Sequence, residues 1–551
     1  MLSTLSFISQ RSVWFERIIL IVFGALFPLG FAPIDIWPAT IFSLALLINE
    51  IIARAEADAL IAAKHTQVKS KERALTHSMR SSFFAIIFYW CIGAFGVGVS
   101  WVYVSIHEFG HVPVIGAIAI SFLLVLTLAL IKAFSGRVIQ SLLIYFSPSS
   151  LLLILPLVWV IFEFIQTFIF SGFPWLLAGY SQMDGPLSIL AKLLGVYGIS
   201  WFLIVISCTL VFITRHWVLS KQSRGTNDRP IKLSSWGLIL AIFVSFPVLS
   251  LLIKPEKIEA DRKNLKVALV QPNIPQEQKW DRQYFSKIID VLYQQSEKHW
   301  GADLIVWPEG AIPAYQHQVR DILSDLNRRA VSSQTDLLLG LPVYNAESEV
   351  SYSALISIGE HQQAYHKQVL VPFGEYVPLG NYLRGVIQFL NLPMSSFTPA
   401  SAEQQAIEFD DYQVIPAICY EIAYPNIVHR LAKQADDENA KAKVLVTVSN
   451  DAWFGDSLGP YQHMQMARMR ALELGMPLVR STNDGITAVV DADGKVQAKL
   501  ERYNQQTLSV SLALDNYQTL YRKYGLLGVY ILLVINFLAL TILYFKNKIT
   551  A

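Results

Sequence analysis

The sequence is short of charge and nearly empty of cysteine. Charged residues fill 16% of its 551 positions, against about a quarter in an ordinary soluble domain. Hydrophobic residues fill 53%, and mean hydropathy is +0.41. These values exclude a simple soluble enzyme and point to a membrane protein. The three cysteines are Cys91, Cys208 and Cys419, the first two inside apolar runs and the third in a polar stretch. Neither a disulfide framework nor a metal-ligand spacing can be built from them. There is no internal repeat and no low-complexity segment. At this length at least two folding units are expected. The net charge of +2 says nothing as a sum, so its distribution has to be read.

What the chain has in abundance is apolar runs. Crossing roughly 30 Å of hydrocarbon takes a helix of about 20 apolar residues. Eight candidate spans lie near 17–32, 36–54, 82–104, 112–134, 149–171, 190–214, 234–253 and 524–545. Pro28, Gly30 and Pro33 interrupt the first two, which also read as one broken hairpin. The first run lacks a small-residue cleavage site and leads straight into further apolar segments, so it does not read as a removable signal peptide. Arg54, Lys64, Lys69, Lys71, Arg73 and Arg80 fill the loop after the second span. Arg215, Lys221, Arg224, Arg229 and Lys232 follow the sixth, Lys132 and Arg137 the fourth, and Lys546 and Lys548 the last. The alternate loops, 33–35, 105–111 and 172–189, have no Lys or Arg. Basic loops stay in the cytoplasm, so both termini are expected there and the long 254–523 segment outside. Arg522 and Lys523 cut the other way, at the outer end of the last span. Long translocated domains follow the charge rule poorly. The expected organisation is a helical membrane domain over 1–253, an outer domain over 254–523, and a final helix with a short tail over 524–551. A Ser-, Arg- and Asn-rich cytoplasmic linker is expected at 218–232.

From about 264 to 513 the texture changes. Lys266–Gln271, Leu304–Trp307, Leu337–Leu341, Val414–Cys419 and Val444–Val448 read as buried strands, while 283–299, 317–330 and 459–474 carry helical periodicity. Strands alternating with helices predict a layered α/β sheet domain. Its strand ends are where chemistry is expected. Glu309 follows the second strand directly, Cys419 ends the fourth, and Lys367 precedes the string Leu370-Val371-Pro372-Phe373-Gly374-Glu375. A cysteine needs a base or a lowered pKa to attack a carbonyl. A buried Glu, its pKa raised by desolvation, can take the thiol proton. A Lys and the backbone N–H after the Cys can hold an oxyanion. Singly, each residue has an ordinary reading: a core thiol, a turn carboxylate, a solvated ammonium.

Together these strings resemble the carbon–nitrogen hydrolase (nitrilase) superfamily, and more closely its membrane branch, the apolipoprotein N-acyltransferases. Gln271-Pro272-Asn273-Ile274-Pro275-Gln276 with Lys279-Trp280 is similar to the family's opening strand. Trp307-Pro308-Glu309, Leu370 through Pro378, Cys419-Tyr420-Glu421, and Ser449-Asn450-Asp451-Ala452-Trp453-Phe454-Gly455 running into Gln462-His463, Ala467-Arg468-Met469-Arg470-Ala471 and Glu473 carry the rest. Among the spans, Trp101 through Ser105 with His107 and Gly110, Gly172-Phe173-Pro174-Trp175, and Gly179-Tyr180-Ser181-Gln182 resemble family outer loops. One departure stands out. Where the family often has Tyr-Asn-Ser before the lysine, this chain reads Ser351-Tyr352-Ser353.

The resemblance implies a polytopic α-helical membrane domain of about eight spans plus an α/β nitrilase-like αββα sandwich. It implies Glu309 as base, Lys367 as oxyanion stabiliser and Cys419 as nucleophile, supported by Tyr420, Glu421 and Glu375. Substrate contacts are expected from Trp280, Arg384, Leu390, Leu392 and Trp175. Read without the family, Trp175 and Tyr180 are interfacial belt aromatics. The implied reaction moves an sn-1 acyl chain from a phospholipid, through a Cys419 thioester, to the α-amine of a diacylglyceryl-modified apolipoprotein cysteine. No metal, soluble cofactor or nucleic acid is implied, and a monomer in a bacterial inner membrane is expected, its catalytic domain periplasmic. The apolar segment Gly380–Phe397, with Leu390 and Leu392, reads as a lid that admits lipid, or as an ordinary packed loop.

Three rivals are weaker. A tethered amidase would use water as acceptor, but the resemblance extends into the spans. A transporter should show more charge inside its spans than Glu163 and Lys192. A dead binding protein would not keep Glu309, Lys367 and Cys419 together.

Overall fold

The computed structural model describes residues 13–65, 82–169, 172–222, 255–259, 263–372, 374–376, 397–401, 403–438 and 441–550. The described residues form two compact units. One takes those up to Ser100, those from Ile118 to 222, and those from Leu526 onward. The other takes Trp101–Ala117 and Pro255–Gly525.

The first unit is helical. Among the described residues, six helices are long and apolar enough to cross a membrane: Val13–Gly30, Trp37–Ala59, Val114–Leu142, Pro148–Phe168, Ser188–Val218 and Leu527–Ile549. Phe83–Gly98, with the helix Trp101–Phe109 that follows it in the other unit, makes a seventh if the two are counted as one broken span. These answer to seven of the eight expected runs; the run at 234–253 lies outside the described residues. The first two runs are separate helices joined through the short 3₁₀ turn Phe27–Gly30. The third run is not straight to 104 as expected. It ends at Gly98, and Trp101–Ala117 belongs to the other unit.

Charge inside this unit is held by specific partners. Glu163 Oε1 accepts from Trp159 Nε1 and from the Ala178 N–H, both at 2.9 Å. Gln166 Nε2 donates to the carbonyls of Phe173 and Trp175. Together they tie the loop after Phe168 back onto its own helix. Trp175 and Tyr180 have no exposed surface, so the interfacial-belt reading does not hold for them. Lys132, a residue of the fourth run, is also buried, with its ammonium 5.0 Å from the centre of the Trp159 ring.

The second unit contains two six-stranded sheets and a short two-stranded one. Its strands are β1 Glu256–Ile258, β2 Asn264–Gln271, β3 Leu304–Val306, β4 Asp336–Asn345, β5 Val350–Ile358, β6 Ala364–His366, β7 Ile407–Glu408 and β8 Tyr412–Ile418. They continue as β9 Ala442–Ser449, β10 Leu478–Thr482, β11 Ala488–Val490, β12 Val496–Lys499, β13 Gln506–Ala513 and β14 Asn516–Gln518. One sheet runs β13-β2-β3-β4-β5-β6 and the other β12-β11-β10-β9-β8-β7, while β1 pairs with β14. At the centre of each sheet the pairing is parallel, β2-β3-β4 and β8-β9-β10. Central parallel strands are covered on both faces. That is why β3, β8 and β9 are apolar along most of their length and buried throughout.

Helices cover the outer faces. Phe285–Ser296 and Arg320–Ser333 pack Ile288, Ile289, Leu292, Leu326 and Ala330 against Ile305, Trp307, Leu337 and Leu339 of the first sheet. Pro425–Glu438 and Gly459–Leu474 serve the second. The two sheets meet through β10, where Ser481 Oγ lies 3.0 Å from the Val270 carbonyl and 3.1 Å from that of Val306. All five expected strands and all three expected helices are present. The carboxyl ends of parallel strands collect at one edge of such sheets, which is where α/β folds keep their sites.

Candidate active site

Glu309, Lys367 and Cys419 come from the ends of β3, β6 and β8. After Val306 the chain turns through Trp307-Pro308, with the Trp307 N–H still bonded to the Leu338 carbonyl of β4. The Glu309 carboxylate is gripped at both oxygens. Oε1 accepts from Lys367 Nζ at 2.9 Å and Oε2 from the Asn450 N–H at 3.1 Å. The Glu309 backbone carbonyl takes a further bond from Lys279 Nζ at 3.0 Å. Lys367 is 1% exposed. It bridges Glu309 to Glu375, whose Oε1 it meets at 2.7 Å, and Glu375 Oε2 accepts from the Val371 N–H. The Lys367 N–H bonds to the Ser353 carbonyl. A backbone atom makes that contact, so the departure from the family pattern at Ser351-Tyr352-Ser353 leaves it intact.

Cys419 follows β8 with φ +52°. A non-glycine residue in this left-handed region is uncommon and needs its surroundings to hold it there. Glu421 supplies part of that hold. Fully buried, it accepts from the Ile418 N–H at 2.7 Å and Tyr365 Oη at 3.1 Å, and from the N–H groups of Gln368 and Val369. One carboxylate thus ties the strand end that carries Cys419 to the segment that follows Lys367. Being acceptor-only when ionised, Glu421 braces the site and cannot itself donate to an oxyanion. Ser449 Oγ, at the end of β9, lies 3.2 Å from Cys419 Sγ. The Tyr420 ring packs edge-on against Tyr424, centroids 5.2 Å apart.

The electrostatics differ from the expectation for the base. Burial does push the Glu309 carboxyl up, but the charge and hydrogen bond of Lys367, with Lys279 and the Asn450 N–H, outweigh it and hold Glu309 below the usual range. Glu375 goes the other way, raised by burial more than Lys367 lowers it, with the Glu309 charge adding to the rise. Burial alone would lower Lys367, yet its two carboxylates keep the ammonium well above its ordinary value. Burial, then the Glu309 charge, drives the Cys419 thiol far up, against the opposing pull of Lys367. Burial brings Lys279 down to about 8 and takes Glu421 up to about 7. The resting pair is therefore a thiol beside a carboxylate. Divergent values on neighbouring groups are what acid–base chemistry needs.

Of the expected substrate contacts, Trp280 is half-buried beside the turn after Glu309, with its ring edge near Gly310. Trp175 is enclosed in the helical unit. Arg384, Leu390 and Leu392, and with them most of the expected lid, lie outside the described residues. Lys279, Ser449 and Asn450 lie within the quoted strings but carry no separate expectation there. Arg480 lies outside them, and a lone arginine inside Leu478-Val479-Arg480-Ser481-Thr482 is the one mark it leaves in the sequence.

Two family models match the chain. One, described as Carbon-nitrogen hydrolase, covers residues 266–522. The other, described as Apolipoprotein N-acyltransferase N-terminal domain, covers residues 23–209. The Apolipoprotein N-acyltransferase of Shewanella oneidensis is 36% identical over 80% of this chain and 84% of its own length. That of Azotobacter vinelandii is 35% identical over 90% of this chain and 89% of its own. That of Haemophilus influenzae is 35% identical over 94% and 93%.

Proposed function

The chain belongs to the apolipoprotein N-acyltransferase family, membrane enzymes that N-acylate lipoproteins with phospholipid as the other substrate, and we propose that it works through a thioester on Cys419. The supporting observation is the position of Lys367 Nζ, 2.9 Å from Glu309 and 2.7 Å from Glu375 in the buried cluster beside Cys419.

In the first half-reaction Cys419 Sγ attacks the sn-1 ester carbonyl of the phospholipid while Glu309 takes the thiol proton. Lys367 has three N–H bonds. Two are committed to carboxylates, and the third meets the developing oxyanion together with the Tyr420 N–H. The tetrahedral intermediate expels the sn-1 alkoxide, which recovers the proton from Glu309 and leaves as lysophospholipid. In the second half-reaction the α-amine of the diacylglyceryl cysteine attacks the thioester, Glu309 takes the proton from nitrogen, and Cys419 departs as sulfur and is reprotonated. With the thiol raised and Glu309 lowered, proton transfer is uphill until the C–S bond forms. The base then acts within the transition state, as general-base catalysis requires.

Glu375 keeps Lys367 charged, Glu421 holds the Cys419 turn, and Trp280 stands beside the turn after Glu309. The Lys/Arg asymmetry supports cytoplasmic termini and a catalytic domain outside the inner membrane, over about 254–523. Both substrates are held in the bilayer by acyl chains, each CH₂ worth about 0.8 kcal/mol. An enzyme standing on the membrane admits them sideways without extracting them.

The test uses purified full-length chain, vesicles whose phospholipid carries an isotopic label only in the sn-1 chain, and a synthetic diacylglyceryl lipopeptide. Label should reach the peptide α-nitrogen and be absent with Cys419→Ala. Transfer from the sn-2 chain alone, or undiminished transfer by the variant, would overturn the reading.

A further inference from the structure

Behind Cys419 lies a polar cluster that the reaction above leaves unused. Ser449, Asp451 and Arg480 have no exposed surface and His463 is 1% exposed. Arg480 Nη2 lies 3.0 Å from Asp451 Oδ1 and 2.8 Å from Oδ2. Asp451 Oδ1 also accepts from Ser449 Oγ at 2.6 Å and stands 3.2 Å from His463 Nδ1. Arg480 Nη2 lies 3.0 Å from the same Nδ1. On its far side, His463 Nε2 lies 3.0 Å from the backbone carbonyl oxygen of Cys419.

One of these contacts places a hydrogen. A carbonyl oxygen can only accept, so Nε2 carries one. Nδ1 faces both a donor, Arg480 Nη2, and an acceptor, Asp451 Oδ1. Burial, then the Arg480 charge, holds His463 below its ordinary pKa against the opposing pull of Asp451, so the ring is neutral and its Nδ1 lone pair meets the arginine, which can only donate. Asp451 anchors the guanidinium that selects this form.

The consequence runs through one peptide plane. In a trans peptide the C=O and the following N–H share a rigid plane and point in opposite directions. A donor that grips the Cys419 carbonyl from behind therefore aims the Tyr420 N–H forward. The grip falls on a residue whose φ of +52° leaves its peptide poorly determined by backbone preference alone. We infer that His463 is a positioning residue for acyl transfer. It fixes the direction of the Tyr420 N–H, the backbone donor of the oxyanion site, while Arg480 and Asp451 hold its imidazole in the tautomer that can do so. The inference rests on Cys419 being the nucleophile.

Two reactions at one sulfur separate this role from a structural one. Iodoacetamide alkylates a thiol by displacing iodide and forms no oxyanion. A short p-nitrophenyl ester acylates it through a tetrahedral oxyanion. Both rates are followed at Cys419 by peptide mass spectrometry on the full chain in detergent. His463→Leu should slow acylation by about 100-fold, the usual cost of a lost oxyanion donor, with alkylation changed by less than about threefold. His463→Gln, whose amide N–H can take the place of Nε2, should recover most of the acylation. If His463→Leu does not fold, His463→Asn, polar but too short to reach the carbonyl, replaces it in the comparison. Acylation at the wild-type rate in the Leu or Asn variant sinks the positioning role alone. Equal losses in both reactions, with no rescue by Gln, sink it too, because His463 then holds the thiol or the fold. A wild-type chain that is alkylated but never acylated at Cys419 overturns the nucleophile reading, and the inference falls with it.

Discussion

Gly340 of β4 lies directly beneath Glu309. A methyl group on its Cα would stand 2.8 Å from the Glu309 Cα and 2.7 Å from the Pro308 carbonyl oxygen. Both neighbours are backbone, so they cannot swing aside. Gly340→Ala should leave the unit folded and shift the carboxylate away from Lys367. Misplacing a reacting group by a fraction of an ångström to an ångström can cost about 100-fold in rate, and transfer should fall by roughly that factor. Overpacking should cost about 1–3 kcal/mol in stability, read by thermal unfolding of the same sample. Full activity would show that the turn tolerates the methyl and that Glu309 is not held by this contact.

Lys367 separates two buried carboxylates. Removing it in Lys367→Met leaves Glu309 and Glu375 facing each other without the cation that bridges them. Transfer should drop by about 10²–10³, and breaking the buried pair should cost about 3–5 kcal/mol. The double variant Lys367→Met/Glu375→Gln relieves the repulsion. Its stability should recover toward wild type while its activity stays lost. Recovery of both would remove Lys367 from the chemistry.

The thiol of Cys419 is raised, not lowered, by its surroundings. Its alkylation by iodoacetamide should therefore climb about tenfold per pH unit from about pH 6 to 9 without a plateau, because thiolate is the reactive form. Glu309→Gln removes the negative charge that helps to raise the thiol. Alkylation at fixed pH should then speed up, while transfer, deprived of its base, falls by about 10²–10⁴. A plateau near pH 6 in the wild-type chain would mean a preformed thiolate and a different proton path.

Much of this was readable from runs and strings. Span lengths followed from apolar runs, and β3, β8 and β9 announced themselves because central parallel strands are apolar on both faces. Glu309 and Cys419 stood out as candidates at the ends of expected strands, whereas Lys367 came only from the string around it, because the short β6 was not expected. The pKa of Glu309 was misread. Desolvation can be guessed from one residue's neighbourhood, but the opposing ammonium is 58 positions away in the chain. Lys279 and Arg480 were missed for the same reason. A basic residue in a strand or a short helix looks solvated until the fold shows which carbonyl or carboxylate it meets. The end of the third helix at Gly98 was not legible, because an apolar run carries no sign of where its helix stops.

Glu421 should make stability pH-dependent. Burial raises its carboxyl from 4.5 to about 7, so between these values the folded chain binds more protons than the unfolded one. Stability should then decline as pH rises through that window. Glu421→Gln should flatten the decline. It should also be less stable throughout by about 1–3 kcal/mol, because an amide NH₂ replaces one of the two acceptor oxygens and faces donors. Thermal unfolding from about pH 5 to 8 reads both effects. A variant as stable as wild type would show that the four donors find other partners.

The central claim is that Cys419 carries an acyl chain between two lipids. The direct measurement is intact-protein and peptide mass spectrometry of the full chain mixed with phospholipid alone, with no acceptor present. One added acyl mass should appear on Cys419, be released by hydroxylamine, disappear on addition of the diacylglyceryl lipopeptide, and be absent from Cys419→Ala. A preparation that is active in transfer but stays unacylated, or carries the acyl group on another residue, would contradict it.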